Sequence, residues 1–360
     1  MKVTSERLGK VRERLAQESL DGFLVTNYAN WRYLSGFQGH SGSLLITGTD
    51  ALLFTDSRYA EQAEKEAPEF SVVRTSPDDD ALKKTVKQKG LGRLGFEKDY
   101  ITYSNWEKLR DRLEGVELVG LSGVVEKLRM IKTPEEISKI AKAQEIADQA
   151  FGLLTGAIRV GATELELATE FDFTMRKMGS EEVAFPLIVV SGERSSLPHG
   201  VPTNKPLEDG DFVTFDFGAT YDGYRSDETR TFVMGHLDAR HDEIYNVVLK
   251  AQMAAVDKVG PGVPAREIDL TGRRIIEDAG YGEYFGHGIG HGVGLNVHEG
   301  PSVARKSEDI LAPGMVITVE PGIYIPGFGG VRIEDLVLVT EDGHRVLSAS
   351  PKELTVLDPR

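Results

Sequence analysis

Between Asp216 and Glu334 the chain places two pairs of carboxylates on segments that read as β-hairpins, with a glycine-laced, histidine-bearing run between them. The first pair, Asp216 and Asp227, lies on apolar alternating runs that flank Asp222-Gly223, a strong two-residue hairpin signal. A turn at 222 and 223 sets Asp227 opposite Gly218 and one diagonal step from Asp216, so both aspartates share a face. The second pair follows the same logic. Met315–Tyr324 runs to a Pro326–Gly330 turn and returns as Val331–Val339. A hairpin centred near Gly327 sets Glu320 opposite Glu334, with Arg332 on the same face; a bulge in either hairpin would break this register. Like charges at facing or diagonal sites repel unless something positive sits between them, and a bound cation removes the problem.

Between the hairpins runs Phe285-Gly-His287-Gly-Ile-Gly-His291-Gly-Val-Gly-Leu295-Asn-Val-His298-Glu-Gly300. His287 and His291 have the i, i+4 spacing of a helical metal motif, but each of the alternating glycines would cost a helix ~1 kcal/mol. Read as extended chain, one face is bare glycine, open to close approach by another backbone, and the other shows His287, Ile289, His291 and Val293. Half of the eight histidines, those at 199, 287, 291 and 298, fall in glycine-rich or turn-like contexts around the acids, which favours a shared site over scattered core or surface roles.

The length of 360 residues suggests two domains. A net charge of −15 argues against nucleic-acid or anionic-membrane partners, which need a basic face. The absence of cysteine excludes thiolate metal sites and disulfides and fits a cytoplasmic location. Residues 1–125 alternate helical and strand signals and read as a small α/β domain. Helices are expected at Arg7–Glu18, after Asp56-Ser57, at Asp78–Lys89 and at Tyr103–Leu113, with strands at Gly22–Asn27, 43–47, 51–55, 70–74, 91–96 and 116–119. Residues 126–133 read as a linker. Thr133-Pro134-Glu-Glu136 opens a helix with proline at its first position and Glu three residues after the cap. The remainder, 134–360, reads as an α+β domain: helices at 135–154, 164–178, 239–258 and 265–279 outside, carboxylate-bearing strands inside.

These motifs resemble the pita-bread metallopeptidases, in the branch containing aminopeptidase P and prolidase. Asp216-Phe-Gly, Arg225-Ser-Asp227-Glu-Thr-Arg-Thr, Gly286-His287-Gly-Ile-Gly-His291-Gly-Val-Gly-Leu, Val297-His298-Glu299, Glu320-Pro-Gly-Ile-Tyr and Val331-Arg-Ile-Glu334-Asp fall in the family's order. The resemblance implies a pita-bread catalytic domain behind a creatinase-like N-terminal domain. It implies two divalent ions held by Asp216, Asp227, His291, Glu320 and Glu334, with Asp227 and Glu334 bridging. The carboxylate-rich set suits Mn²⁺, with Co²⁺ and Zn²⁺ as rivals. Two such ions, roughly 3.5 Å apart, acidify a bridging water and polarise the scissile carbonyl. On this reading Glu320 or another ligating carboxylate would take the water's proton, His298 would steady the oxyanion, His199 would support the proton traffic or the leaving nitrogen, and His287 and His298 would line the substrate cleft.

The implied activity is hydrolysis of the bond between an N-terminal residue and a following proline. Asn30-Trp31-Arg-Tyr-Leu-Ser-Gly-Phe37 and Thr55-Asp-Ser-Arg-Tyr-Ala-Glu-Gln-Ala63 look more like aminopeptidase P than a dipeptide-restricted prolidase, so longer Xaa-Pro peptides are the expected substrates and prolidase the alternative. Methionine aminopeptidase shares the five ligands but not these flanking segments. A non-catalytic pita-bread module or a metal-free creatinase-type hydrolase would be expected to lack ligands that are present here. Relatives imply a homodimer, in which His40 or Trp31 is a candidate to reach a partner's cleft. Arg332 reads as a support for Glu334 or Asp227.

Overall fold

The alternating helical and strand signals of residues 1–125 become a six-stranded sheet in the computed structural model, which describes residues 2–76 and 80–358. The chain divides into two units, one ending at Arg129 and the other beginning at Met130. In the first, strands β1 (Gly22–Val25), β2 (Ser43–Thr47), β3 (Ala51–Asp56), β4 (Ser71–Thr75), β5 (Arg93–Glu97) and β6 (Glu117–Leu121) lie in the order β4-β3-β2-β1-β5-β6. β2 runs antiparallel to β1 and β3, and the remaining pairings are parallel. Helix α1 (Lys2–Gln17) precedes the first strand, and α2 (Tyr28–Ser35), α3 (Ala60–Glu66), α4 (Ala81–Gln88) and α5 (Tyr103–Arg112) lie in connections between strands. The expected start of α4 at Asp78 lies outside the described residues; from Asp80 onward the helix is present, with Asp80 as its cap. Sequence reasoning missed α2. Its local signal is there, because the Asn27 side chain accepts from the Ala29 amide and Gly36 ends the helix at φ 82°.

Residues 126–130, in the stretch read as a linker, form a short helix, α6 (Glu126–Met130). In the second unit α7 (Pro134–Leu154) begins with the capping box anticipated from Thr133 and Glu136. It and α8 (Glu164–Lys177) cover one face of a sheet made of β7 (Ile188–Ser191), β8 (Phe212–Phe217) and β11 (Glu228–Met234). Strand β7 was not anticipated. Two short strands, β9 (Thr220–Tyr221) and β10 (Tyr224–Arg225), cap the β8–β11 hairpin. Alternation along β8 explains the layering. Val213, Phe215 and Phe217 join a buried cluster with Phe151, Phe171 and Phe232, while Thr214 and Asp216 face away from it.

A second sheet contains β12 (Gly290–Gly292), β13 (Glu299–Val303), β14 (Val316–Val319), β17 (Asp335–Val339) and β18 (His344–Val346). The pair β15 (Gly322–Ile325) and β16 (Gly329–Arg332) stands at the tip of the β14–β17 hairpin, and β19 (Val356–Leu357) edges β11. Helices α9 (Ala239–Asp257) and α10 (Ala265–Asp278) pack Ile244, Val248, Ile268 and Ile276 against Ile317, Val319, Val337 and Val339. The unit is thus α+β with helices outside and strands inside. Among the described residues, no helix is long and apolar enough to cross a membrane.

Phe151 sits at the hub of the first cluster, its ring centroid 4.6 Å from that of Phe217 and 5.6 Å from those of Phe215 and Phe232. Phe151→Ala should lower unfolding free energy by about 3–5 kcal/mol, measured by denaturant titration, because the surrounding rings cannot collapse into the space.

Candidate metal centre

Both hairpins keep the register read from the sequence; Asp216 stays within its ladder, whereas Asp227, Glu320 and Glu334 sit where the ladders break. In the first, Phe217 pairs with Glu228 and Asp216 with Thr229, while Tyr221 pairs with Tyr224 across a turn whose Asp222 and Gly223 have φ of 46° and 74°. The same register carries Asp227 to Gly218. A side chain at Gly218 would overlap the Ser226 carbonyl, so this crossing admits only glycine. In the second hairpin, Val319 pairs with Asp335 and Gly322 with Arg332, which brackets Glu320 opposite Glu334. At that break the amides turn to other strands: Glu320 N–H donates to the Ile289 carbonyl (2.7 Å) and Glu334 N–H to the Thr229 carbonyl (3.1 Å). The two hairpins are thereby sewn to each other and to the glycine-rich strand.

That strand behaves as expected in one respect and differs in another. Side chains at Gly290 and Gly292 would overlap the carbonyls of Thr318 and Gly300, so the neighbouring backbones do approach on the bare side. The four alternate side chains, however, do not share one environment. His287 and His291 line a cleft, whereas Ile289 and Val293 are fully buried in the core. Regular strand lasts only from Gly290 to Gly292, with a register shift between His291 and Gly292, and the chain on either side twists away from strict alternation.

The cleft, of about 640 Å³, is lined by all nine residues nominated from the sequence: His199, Asp216, Asp227, His287, His291, His298, Glu320, Arg332 and Glu334. Phe185, Pro186, Leu187, Val201 and Pro202 add an apolar wall. His291 Nε2 lies 3.5 Å from Asp227 Oδ2 and 3.4 Å from Glu320 Oε1. Ligand atoms of Asp227, His291 and Glu334 all fall within 4.8 Å of one another. Burial pushes the Asp227 carboxyl well above the usual range, and the charges of Glu334, Asp216 and Glu320 push it further. Glu334 is raised likewise, by burial first and then by Glu320 and Asp216. Burial lowers the pKa of His287, His291 and His298, favouring the neutral imidazole that a metal ligand requires. One oxygen of Asp216, Oδ1, is buried with no hydrogen-bond partner. Crowded acids, a neutral histidine and an orphaned carboxylate oxygen are a donor set that fits hard or borderline divalent cations.

Arg332 departs from its expected role. Its guanidinium does not hold Glu334 or Asp227; Nη2 donates to Asp216 Oδ2 at 2.6 Å, Nη1 to the Tyr324 hydroxyl at 3.1 Å and Nε to the Thr229 hydroxyl at 2.9 Å. Register explains this, because Arg332 faces Gly322, on the Asp216 side of the break. Thr229 in turn donates to Glu334 Oε2 at 2.6 Å, so Arg332 reaches that acid through a hydroxyl. Tyr324 also meets His287 Nε2 at 2.9 Å, and burial raises its phenol to about 12. Sequence reasoning missed Thr229 and Tyr324. Each follows a nominated acid on its strand, at +2 from Asp227 and +4 from Glu320, but neither spacing distinguishes it from an ordinary strand residue. His298 is exposed, its ring centroid 4.3 Å from that of His291. Trp31 and His40 pack on Tyr28 within the N-terminal unit, with centroids 5.3 and 5.7 Å away.

Strands inside, helices outside and a buried acid–histidine cluster define a metallohydrolase class, and comparison with known proteins supplies the family. Residues 138–341 match metallopeptidase family M24 and residues 7–131 match the creatinase/prolidase N-terminal domain. The chain belongs to the M24 metallopeptidases. A solved structure described as a Xaa-Pro dipeptidase from Bacillus anthracis is 46% identical, with a TM-score of 0.95 over 98% of this chain and 100% of that one. A Xaa-Pro dipeptidase of Pyrococcus horikoshii is 41% identical over 98% of this chain and 100% of its own length. A structure described as an X-Pro aminopeptidase from Thermotoga maritima is 39% identical, with a TM-score of 0.88 over 95% of this chain and 99% of that one.

Gly290→Ala tests the strand geometry. The added methyl would overlap the Thr318 carbonyl, and backbone cannot yield as a flexible side chain does. A loss of about 1–3 kcal/mol or more in unfolding free energy is expected, together with weaker binding of divalent metal by calorimetry, since His291 moves with its strand.

Proposed function

We propose that this chain is a Xaa-Pro dipeptidase, and that Asp216, Asp227, His291, Glu320 and Glu334 hold two divalent ions at the floor of the cleft. The observation that carries this reading is the convergence of four acids and a histidine of lowered pKa on one cleft, with ligand atoms of Asp227, His291 and Glu334 within 4.8 Å of one another. The carboxylate-rich set favours Mn²⁺, with Co²⁺ and Zn²⁺ as competitors. Full-length similarity to proteins named Xaa-Pro dipeptidase supports a dipeptide substrate better than the longer peptides expected from the N-terminal motifs. The Thermotoga relative keeps Xaa-Pro aminopeptidase activity as the second reading.

The bound ions would supply Lewis acidity toward the scissile carbonyl and acidify the attacking water. Everything else falls to the side chains. Glu320 accepts a proton as the water oxygen bonds to the carbonyl carbon. His298, exposed at the cleft wall, donates to the oxygen on which negative charge develops. His199 passes a proton to the departing prolyl nitrogen, which lacks an N–H in the substrate and becomes a secondary amine in the product. The Arg332–Tyr324–His287 chain holds Asp216 and the cleft wall in place. The apolar wall from Phe185 to Leu187, with Val201 and Pro202, offers the proline ring a dry surface.

Three assays check this reading. Protein stripped of metal should be nearly inactive and recover with Mn²⁺ or Co²⁺; full activity in protein shown to be metal-free would end the proposal. Asp227→Asn should lose bound metal while remaining folded, whereas His298→Ala should keep its metal and lose turnover on the order of 10²-fold. Xaa-Pro dipeptides should be cleaved with higher kcat/KM than Xaa-Pro-Yaa tripeptides, and Xaa-Ala poorly. The reverse order for dipeptide and tripeptide would select the aminopeptidase.

A further inference from the structure

His298, to which the proposed chemistry assigns the oxyanion, stands where the glycine-rich strand region is least regular. It immediately precedes β13, and the pairing of β13 with β12 jumps from Glu299↔Gly292 to Ser302↔His291. Regular strand pairing therefore does little to hold the residue before Glu299. The exposed imidazole needs another anchor if it is to keep one orientation.

Glu299 is placed to be that anchor. His298 lines the cleft, whereas its neighbour Glu299, the first residue of β13, turns its side chain into the interior. There its carboxylate meets the Lys132 ammonium at 2.9 Å, with the two side chains 7% and 1% exposed. Gly294 lies directly against the same carboxylate, where any side chain would overlap Glu299 Oε1. Lys132 is itself fixed: its N–H donates to the Gly314 carbonyl at 2.9 Å, and Gly314, at φ 88°, lies so close that a Cβ would sit 2.9 Å from the Lys132 carbonyl oxygen. The Arg225 amide donates to the Gly294 carbonyl at 2.9 Å, tying the start of this loop to the first hairpin. A lysine just before α7 thus reaches the acid beside His298, and the loop between is tied to the hairpin that carries Asp227.

We infer that Lys132 and Glu299 are positioning residues for His298, holding the turn so that the imidazole stays aimed into the cleft. The inference rests on the proposed role of His298 for its catalytic consequence, not for the positioning itself. A buried pair that served stability alone would change folding when broken but would leave the orientation of His298 untouched.

The test compares Lys132→Met, Lys132→Arg and the double variant Lys132→Met/Glu299→Gln with the unaltered protein. It reads kcat, KM, metal content and the imidazole resonances of histidine-labelled protein loaded with diamagnetic Zn²⁺. Removing one partner of a buried pair strands the other charge, so Lys132→Met is the variant most at risk of misfolding. The double variant leaves no lone charge and carries the same readouts. In whichever of these folds, kcat should fall on the order of 10- to 10²-fold with KM and metal content little changed. The His298 resonance should broaden or split, and Lys132→Arg should restore it. In a His298→Ala background, Lys132→Met should lower kcat no further. A single, unshifted His298 resonance in the folded double variant overturns the inference, as does loss of kcat that persists undiminished in the His298→Ala background. A disturbed resonance alongside a His298→Ala variant of full activity would uphold the positioning and remove the catalytic role of His298.

Discussion

Four carboxylates, two of them almost wholly buried, stand within reach of one another around a single histidine, and the architecture of the catalytic unit is organised around tolerating them. Burial raises the proton affinity of Asp227 and Glu334, and the charges of the neighbouring acids raise it further. Among the described residues lining the cleft the cation is Arg332, and it bonds to Asp216 rather than to Asp227 or Glu334. The other acids are left without a cation of the protein's own, and this is the physical argument for the divalent ions proposed to bind there.

The strands accommodate this cluster by breaking at Asp227, Glu320 and Glu334, while Asp216 stays paired within β8. A continuous antiparallel ladder would pair Glu320 and Glu334 with each other's backbone; here their amides go to Ile289 and Thr229. A further regularity runs along the chain. Asp227, Glu334 and His298 face the cleft, and each is followed by an acid that faces away: Glu228, Asp335 and Glu299. Behind the site those acids meet buried cations. Arg230 pairs with Glu228 at 2.7 Å and Asp335 at 2.9 Å, and Lys132 pairs with Glu299. Arg230 also donates to the carbonyls of Thr229 and Glu334, at the point where the two hairpins cross. Buried pairs of this kind contribute little net stability against apolar replacements, so their value here lies in fixing geometry.

Much of this was legible along the chain. Both hairpin registers follow from local rules: a two-residue Asp-Gly turn in one, a turn centred on Gly327 in the other, and alternation counted outward from each. The glycine run excludes helix by propensity alone, and its close backbone contacts follow from the missing side chains. The α/β character of the first unit and the long helices of the second follow from periodicity and the Thr133 capping box. Local signals that were present but weak, such as the Asn27 cap and Gly36 stop of α2, escaped notice because an eight-residue helix offers little periodicity.

What the sequence by itself determined was the inventory and the spacing: which acids and histidines exist, which share a hairpin, and which face of it they take. Only the tertiary structure decided who meets whom across distance. Arg332 chose Asp216, 116 residues away, Thr229 and Tyr324 became relays, and Ile289 and Val293 left the histidine face for the core. Glu299 found Lys132 in the stretch before α7. Turn geometry and side-chain alternation act over a few bonds and can be counted along a chain. The crossing of two hairpins is fixed by helices packed on their far sides, and no local rule carries that information.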